Sequence, residues 1–180
     1  MQESSFPNKE RELEKWKEAI NELKNDIRVQ DISDTFRPFY LQLTNQDRPA
    51  DELKLRYLEL TDMDFKCFVK KLLSDTICQK ISLKHTKLSE KNIILLCILL
   101  AQNSTLTELD LRDTKLTPDM VTSLLTTIGQ RNFSLTTLLV NDNEKLPKEL
   151  IERVAVVLKQ NRQIFEVSIT GHIFSSLTRK

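Results

Sequence analysis

The sequence predicts an α/β solenoid, a stack of strand-and-helix units with parallel strands on the concave face and helices on the convex face. The main observation is a pattern of apolar residues, L-x-x-L-x-L, of which four of five copies recur every 28 or 29 residues. A fixed period of this length is typical of stacked repeats. A chain of 180 residues with 39% hydrophobic content is long enough for one continuous core. The five copies lie at residues 55–60, 78–83, 106–111, 135–140 and 164–169.

Each copy of the pattern is followed by a stretch with helical spacing. Thr117 and Pro118 are typical of a helix start, since Thr caps the first turn and Pro suits the first helical position. The corresponding start residues of the other units are Ser89, Pro147 and either Asp62 or Asp64. Because each strand is followed by a return helix, neighbouring strands are parallel and their connections right-handed. These signals place a solenoid of four to five units at residues 53–174 and a C-terminal tail at residues 175–180.

Residues 1–52 precede the repeats and have a different pattern. Between residues 9 and 30, apolar residues recur at spacings of three and four, which predicts a helix with one apolar seam. They are Leu13, Trp16, Ile20, Leu23 and Ile27. This helix either caps the open end of the first repeat, or docks on a partner or a second copy of the chain. Residues 36–43 are compatible with a degenerate first strand, in which Pro38 favours an edge or irregular position.

The segments 78–88 and 106–116 carry a family resemblance. Their sequences, CQKISLKHTKL and LTELDLRDTKL, resemble the leucine-rich repeat family, in particular its ribonuclease-inhibitor-like subclass, and tropomodulin-type repeats are also similar. The resemblance covers residues 53–174. It implies a protein that binds another protein along its concave strand surface, and it implies neither an activity nor a particular ligand.

The family places Asn or Cys at the ninth position of the repeat, where the side chain bonds to the backbone of the turn. In this sequence the position is held by Met63, Thr86, Thr114, Asn143 and His172. Thr supplies a hydroxyl for the same bond, whereas Met63 cannot. The fourth unit carries one extra residue within 141–145, which predicts a bulged turn there.

The residues between the leucines of each strand are expected to face the concave surface, because side chains alternate along a strand. Tyr57 and Leu139 are unusual on a solvated surface, and an anchor of this kind among polar groups is typical of a protein interface. The alternative is that opposite charges on adjacent strands pair with one another. We also expect His85 to lie beside Asp113 of the next unit. The predicted partner-binding residues are Tyr57, Glu59, Lys80, Lys84, Glu108, Asp110, Arg112, Leu139 and Asn141.

The predicted helix at residues 90–102 offers a second candidate interface. It is apolar nearly all round, although an outer helix of a solenoid normally presents a polar face to water. Either the N-terminal helix folds back and covers it, or a partner or a second copy does. The residues of this possible interface are Leu95, Leu96, Leu13, Trp16 and Ile20.

Composition argues against several other classes of function. The net charge is +1 and the basic residues alternate with acidic ones, so no surface for nucleic acid is predicted. The longest apolar run, residues 93–101, is about half of a membrane span, and the N-terminus lacks the apolar core of a secretory signal. Three cysteines without a C-x-x-C pair indicate reduced thiols, and we expect a cytoplasmic location.

No motif in the sequence indicates catalysis. Two distant glycines cannot form a phosphate-binding loop, and neither His85 nor His172 has a second ligand at metal-binding spacing. We therefore predict no catalytic residues, no metal and no cofactor. The leading hypothesis is a non-enzymatic protein-interaction module or assembly subunit. The alternatives are a cytoskeleton-linked adaptor, a microbial effector that engages a host protein, and the regulator of an enzyme.

Overall fold

The computed structural model contains one sheet of six strands, in the order β1 to β6, with helices packed along one side. The structure describes residues 9–25, 28–45, 50–143, 147–161, 163–164, 166–169 and 172–175. The helices are α1 (Lys9–Lys24), α2 (Arg37–Thr44), α3 (Asp62–Leu73), α4 (Glu90–Gln102), α5 (Pro118–Arg131) and α6 (Lys148–Gln160), with a 3₁₀ turn at Val29–Asp31. The strands are β1 (Glu52–Lys54), β2 (Lys80–Ser82), β3 (Glu108–Asp110), β4 (Thr137–Leu139), β5 (Glu166–Ile169) and β6 (His172–Ser175).

The first five strands are parallel and stacked in chain order, which confirms the predicted solenoid. The central residue of each strand is a buried aliphatic that lies opposite its equivalent in the next unit. These residues are Leu53, Ile81, Leu109, Leu138 and Val167. Burying this column against the helices supplies the continuous core that a single unit cannot form alone.

The first repeat lies five residues earlier than the leucine pattern predicts. Pairing of β1 with β2 places Leu53 opposite Ile81, so the first strand is at 52–54 and the prediction of a strand within 55–60 is wrong. Leu58 and Leu60 are half-buried in the turn that leads to α3. The true first unit has Ala50 in place of its first leucine. The following residues 55–60, which have leucine at all three apolar positions, therefore match the L-x-x-L-x-L pattern better, although they lie five residues too late.

The shift also moves the ninth position of the first unit from Met63 to Leu58. At that position in the second, third and fourth units the polar side chains do bond to backbone, as the sequence predicts, and in the fifth unit the same position, His172, is the first residue of β6. Thr86 Oγ1 donates to the Leu55 carbonyl oxygen at 2.6 Å, and Asn143 Nδ2 donates to the Leu111 carbonyl oxygen at 2.9 Å. Each bond joins two adjacent units. Residues 144–146, which include most of the predicted bulge, lie outside the described part of the chain.

Three helices start at hydroxyl residues spaced by 28. Thr61, Ser89 and Thr117 are the N-caps of α3, α4 and α5, each accepting a hydrogen bond from the backbone N–H three residues later. The prediction that Asp62 or Asp64 caps α3 is therefore wrong. Asp64 Oδ2 instead accepts a hydrogen bond from the backbone N–H of Thr61, which completes the reciprocal pair of a capping box.

Three helices end at asparagines whose side chains join adjacent units, a feature that the sequence pattern did not predict. We call this row of residues the asparagine ladder. Asn103, Asn132 and Asn161 are the buried C-caps of α4, α5 and α6. Each Nδ2 donates to a carbonyl oxygen near the end of the preceding helix, at 3.0, 2.7 and 2.7 Å respectively. The segments 103–105 and 132–134 match the N-x-S/T pattern of a glycosylation acceptor, but the amides of their asparagines are engaged inside the stack.

Helix α1 lies across the convex side of the solenoid and packs on α4. The guanidinium of Arg131, at the end of α5, lies 5.2 Å from the Trp16 ring centroid, and Leu23 is buried. Ion pairs join Lys15 to Glu90 and Lys66 to Glu22. Helix α1 ends at Lys24, earlier than the predicted limit of 30.

The open end of the first unit is covered by residues 29–44 rather than by α1. Phe36 is fully buried with its ring edge-on to Phe68 of α3, at 6.3 Å between centroids. Ser33 N–H donates to Asp64 Oδ1 at 2.8 Å. The predicted strand at 36–43 is mostly helix α2, because Pro38 lies in its first turn, where no backbone donor is required.

The opposite end of the sheet is closed by a hairpin. Strand β6 pairs antiparallel with β5, with Ile169 opposite His172. The chain therefore turns back at the point where a further parallel unit would begin, and β5 is not an open edge. Among the residues that the structure describes, no helix is both long and apolar enough to cross a bilayer.

Candidate functional site

The concave surface is extended by two rows of side chains that follow the strands. The first row is formed by Arg56, Lys84, Arg112 and Asn141. The second, which we call the left-handed row, is formed by Tyr57, His85, Asp113 and Asp142, with φ of 61°, 62°, 50° and 61°. A positive φ is uncommon for residues other than glycine, and its repetition at the same position of the first four units turns these side chains outward in register.

A hydrogen-bonded network crosses the first three units. Arg56 Nε donates to Ser82 Oγ at 2.9 Å, and Ser82 Oγ donates to Asp110 Oδ2 at 3.0 Å. Arg112 binds the same carboxylate with two bonds of 2.8 Å, through Nε and one terminal nitrogen. Burial opposes ionisation of Asp110, but the bonds from Arg112 and Ser82 outweigh it and lower its pKa. The charge of Arg112 is thus largely committed within the chain.

The left-handed row is joined by ring stacking and ionic contacts. The Tyr57 and His85 rings stack, with 4.3 Å between centroids and 15° between planes. His85 Nδ1 lies 2.8 Å from Asp113 Oδ2, so the predicted neighbourhood of these two residues is observed. Hydrogen bonds from Lys115 and His85 hold the pKa of Asp113 below its ordinary value. Tyr57 covers one face of His85 while remaining 72% exposed itself.

The predicted partner-binding residues share this surface but differ in availability. Lys80 and Glu108 pair across strands at 3.5 Å, as the alternative interpretation requires. Asp110 is buried rather than presented, and Glu59 lies in the turn before α3, because the first unit is shifted. Leu139 is half-buried at the end of β4.

Asn141 follows on the same side of the fourth unit. Its Oδ1 is buried and has no hydrogen-bond partner among the described residues.

Three cations in the turns that follow β1 and β2 are not neutralised by a described carboxylate. Arg56 contacts Ser82 through Nε only, and Lys84 and Lys87 form no ion pair within the described residues. We call Tyr57 together with Arg56, Lys84 and Lys87 the Tyr57 patch. The sequence pattern did not identify Arg56, because the shifted register made it the second position of the repeat, equivalent to Gln79, instead of the equivalent of Lys84.

The possible second interface is not a free surface. Leu95 and Leu96 are buried and α1 packs on α4, so the first of the two alternatives, an N-terminal helix that folds back, is the one observed. Trp16 and Ile20 are partly buried against the core. Leu13 is the most accessible residue of the set, 54% exposed.

The polar groups that could do chemistry are engaged structurally. Ser82 donates its hydroxyl proton to Asp110, which directs it away from the His85–Asp113 pair. The three cysteines are buried, and burial raises the pKa of the Cys67 and Cys78 thiols to about 11, so that both remain protonated. In the described ranges, no three His, Cys, Asp or Glu side chains are arranged to hold a metal ion.

Two solved structures share this architecture. Actin-binding site 2 of leiomodin-1 superposes with a TM-score of 0.67 at 19% identity, covering 74% of this chain and 78% of that one. The tropomodulin C-terminal domain of Caenorhabditis elegans gives a TM-score of 0.66 at 16% identity, covering 77% and 83%. No protein-family model and no curated protein sequence matches the chain. The chain has the fold of a short leucine-rich repeat solenoid, similar to these two domains.

Proposed function

We propose that the chain is a non-enzymatic protein-interaction module that holds its partner at the Tyr57 patch and along the adjoining concave strands. The observation that carries the proposal is Tyr57, an aromatic residue 72% exposed in a left-handed backbone conformation, stacked on His85. A large exposed aromatic ring that is held rigid loses little side-chain entropy on binding, which is typical of an interface anchor.

Charge around Tyr57 defines the kind of segment that fits. Arg56 retains donor nitrogens beyond the one bound to Ser82, and Lys84 and Lys87 add two cations. An Arg whose position is already set by one bond is well placed to bind a carboxylate. The partner segment is therefore acidic, with an apolar or aromatic group that lies against Tyr57.

A cytoskeletal protein is the first candidate for the partner. One protein of similar fold, leiomodin-1, is described by its actin-binding site. We propose a cytoskeleton-linked adaptor with filamentous actin as the first candidate partner, in the cytoplasm, where buried thiols stay reduced. Assignment to the ribonuclease-inhibitor-like subclass stays a prediction.

Co-sedimentation with filamentous actin, and affinity capture from a cytosolic extract, test the two levels of this proposal. Tyr57→Ala and the double variant Arg56→Glu, Lys84→Glu are expected to weaken binding at least tenfold, about 1.4 kcal/mol or more. Phe133→Ala is the matched control, because Phe133 is 67% exposed but lies at the opposite end of the strands. Arg112 is left intact, since it holds buried Asp110.

The outcomes separate the surface from the partner. If actin does not sediment the wild-type chain but another protein is captured and lost with Tyr57→Ala, the interaction module stands and the actin assignment fails. If every captured protein persists with a folded Tyr57→Ala variant, the Tyr57 patch is not the binding surface.

A further inference from the structure

The first three units carry a cation at the same position, two residues after the strand. These cations are Arg56, Lys84 and Arg112. In the third unit the last residue of the strand, Asp110, neutralises the cation by accepting two bonds of 2.8 Å from Arg112. The residues in register with Asp110 in the first two units are Lys54 and Ser82, and neither is an anion. The first two cations therefore lack the internal partner that the third one has.

Arg56 and Lys84 lie side by side, because the pairing of the first two units continues past the ends of β1 and β2. Leu55 N–H donates to the Ser82 carbonyl oxygen at 2.8 Å. Tyr57 N–H donates to the Lys84 carbonyl oxygen at 3.2 Å. The Cα atoms of Arg56 and Lys84 are therefore about 4.8 Å apart, the spacing of neighbouring strands. The bond from Arg56 Nε to Ser82 Oγ, at 2.9 Å, also holds the guanidinium over the second unit.

No described group neutralises this pair of cations. The terminal nitrogens of Arg56 have no hydrogen-bond partner, and Lys84 has no ion pair, within the part of the chain that the structure describes. The carboxylates nearest to them in register are already used. Glu52 pairs with Lys54 at 2.8 Å, and Glu108 pairs with Lys80 at 3.5 Å. Like charges on neighbouring strands repel each other, so the pair is unfavourable unless an anion binds between the two side chains.

The number of charges favours a phosphate over a carboxylate as that anion. The Asp110 carboxylate, with one charge and two oxygens, is bound by a single guanidinium in the third unit. A phosphate monoester carries a charge of about −2 and three terminal oxygens at neutral pH. It can therefore accept hydrogen bonds from a guanidinium edge and from an adjacent ammonium group together.

The aromatic neighbour favours a polypeptide as the carrier of the phosphate. Tyr57 directly follows Arg56 in the chain, its ring is 72% exposed, and only one ring face is stacked on His85. An apolar group can thus bind a few ångströms from the phosphate, as a neighbouring residue of the same segment does. A flat bilayer contacts a concave surface poorly, and a net charge of +1 gives little attraction to an anionic membrane.

We propose that Arg56 and Lys84 form a phosphate-binding site, and that the segment held at the Tyr57 patch carries a phosphorylated serine or threonine. The terminal nitrogens of Arg56 and Nζ of Lys84 donate to the phosphate oxygens, and an adjacent apolar residue packs on Tyr57. The inference rests on the proposed function and specifies the acidic group of the partner. Phosphorylation of the partner then switches its binding on.

Three peptides of the form acetyl-Phe-X-Ala amide, with phosphoserine, glutamate or serine at X, test the site by two-dimensional ¹H–¹⁵N NMR. We expect saturable shifts of the Arg56, Tyr57 and Lys84 backbone signals, with Kd on the order of 1 mM for the phosphoserine peptide. The glutamate peptide is expected to bind at least fivefold more weakly, and the serine peptide to give no shifts up to about 20 mM.

Two further probes separate the sources of phosphate. Inorganic phosphate alone is expected to bind at least fivefold more weakly than the phosphoserine peptide, because it makes no contact with Tyr57. Vesicles that carry a phosphoinositide are expected not to bind. Equal affinity for inorganic phosphate, or vesicle binding that is lost when Arg56 and Lys84 are replaced, would overturn the assignment to a phosphorylated segment.

Arg56→Gln and Lys84→Gln are each expected to weaken the phosphoserine peptide about fivefold, and the double variant to bind it no better than the glutamate peptide. Lys91→Gln, which removes an exposed cation of α4 on the convex side, is the matched control and should leave the affinity unchanged. A preference for phosphoserine that persists in the folded double variant would overturn the proposal.

The wild-type chain alone separates this inference from the proposed function. Equal affinity for the phosphoserine and glutamate peptides, with both weakened by Tyr57→Ala, would mean that an acidic segment binds at the Tyr57 patch and that the phosphate assignment is wrong. Absence of shifts with the phosphoserine peptide up to about 20 mM would also overturn the phosphate site. The proposed function would then depend on the capture experiment with Tyr57→Ala.

Discussion

The buried carboxylate of Asp110 shows how a single residue can lie on a binding face and still serve the fold. Its charge is matched by the fork of Arg112, and its second contact is Ser82 of the preceding unit. Sequence alternation correctly places Asp110 and Arg112 on the concave side. It cannot reveal that these two side chains bind each other, because alternation gives the side of the strand on which a residue lies and not the contacts that it makes there.

Replacing Asp110 by Asn is expected to destabilise the chain by about 2–3 kcal/mol, because Arg112 loses a buried, bidentate partner. Urea denaturation at neutral pH measures the loss. Exchange of exposed Asp119 for Asn is the control and should change stability by less than about 0.5 kcal/mol.

The pH dependence of that difference provides an internal check. The pKa of Asp110 is lower in the folded chain than in the unfolded chain. The stabilisation is therefore complete above the unfolded pKa, about 4, and is lost as pH falls below it through the folded pKa. The stability gap between wild type and Asp110→Asn should narrow between pH 5 and pH 2 or so. A gap that is constant across this range would show that ionised Asp110 contributes nothing.

Helices were the most predictable elements, because their starts are encoded locally. The hydroxyl groups of Ser89 and Thr117 each accept a hydrogen bond from the backbone N–H three residues later. Such N-cap residues can be recognised in the sequence by residue type and position. The position of the first strand could not be predicted from the sequence, because it is fixed by pairing with β2, in which Leu53 lies opposite Ile81, and not by its own weak apolar pattern. Helix α2 was missed for a similar reason: Phe36 is buried by contact with Phe68, a tertiary interaction.

Helix α1 is an element whose attachment depends on a few contacts, and Trp16→Ala tests it. Trp16 is partly buried against the core and lies beneath the Arg131 guanidinium. We expect a loss of about 2 kcal/mol, less than for a fully buried Trp, and an increase in binding of a hydrophobic dye as α4 becomes exposed. Leu13→Ala, on the outward end of the same helix, should change neither stability nor dye binding appreciably. Equal dye binding by both variants would show that α1 does not shield α4.

At the scale of the whole molecule, stability comes from interactions that repeat between units. The period itself predicted the stack, its parallel strands and its convex helices from sequence alone. The asparagine ladder could not be predicted from the sequence. Asn103, Asn132 and Asn161 lie just after helices, where polar residues are common, and only their burial in the structure shows that they bond inside the stack. The Tyr57 patch depends on the register of the first unit, which does not follow from the period.

Removal of one asparagine of the ladder should weaken the coupling between units. Asn132 Nδ2 donates to the Leu100 carbonyl oxygen at 2.7 Å, and its Oδ1 accepts from Leu135 N–H at 2.8 Å. Asn132→Ala leaves both backbone groups buried and unpaired, which is expected to cost about 2–4 kcal/mol. Since solenoid stability is a sum of unit and interface terms, the loss falls on the junction between the second and third units. Hydrogen exchange should then show faster opening of α6 and β5 than of α3 and β2, whereas the exposed control Asn21→Ala should exchange like wild type. Uniform acceleration through every unit of Asn132→Ala would indicate that the stack unfolds as one cooperative body and that the ladder does not act at a local junction.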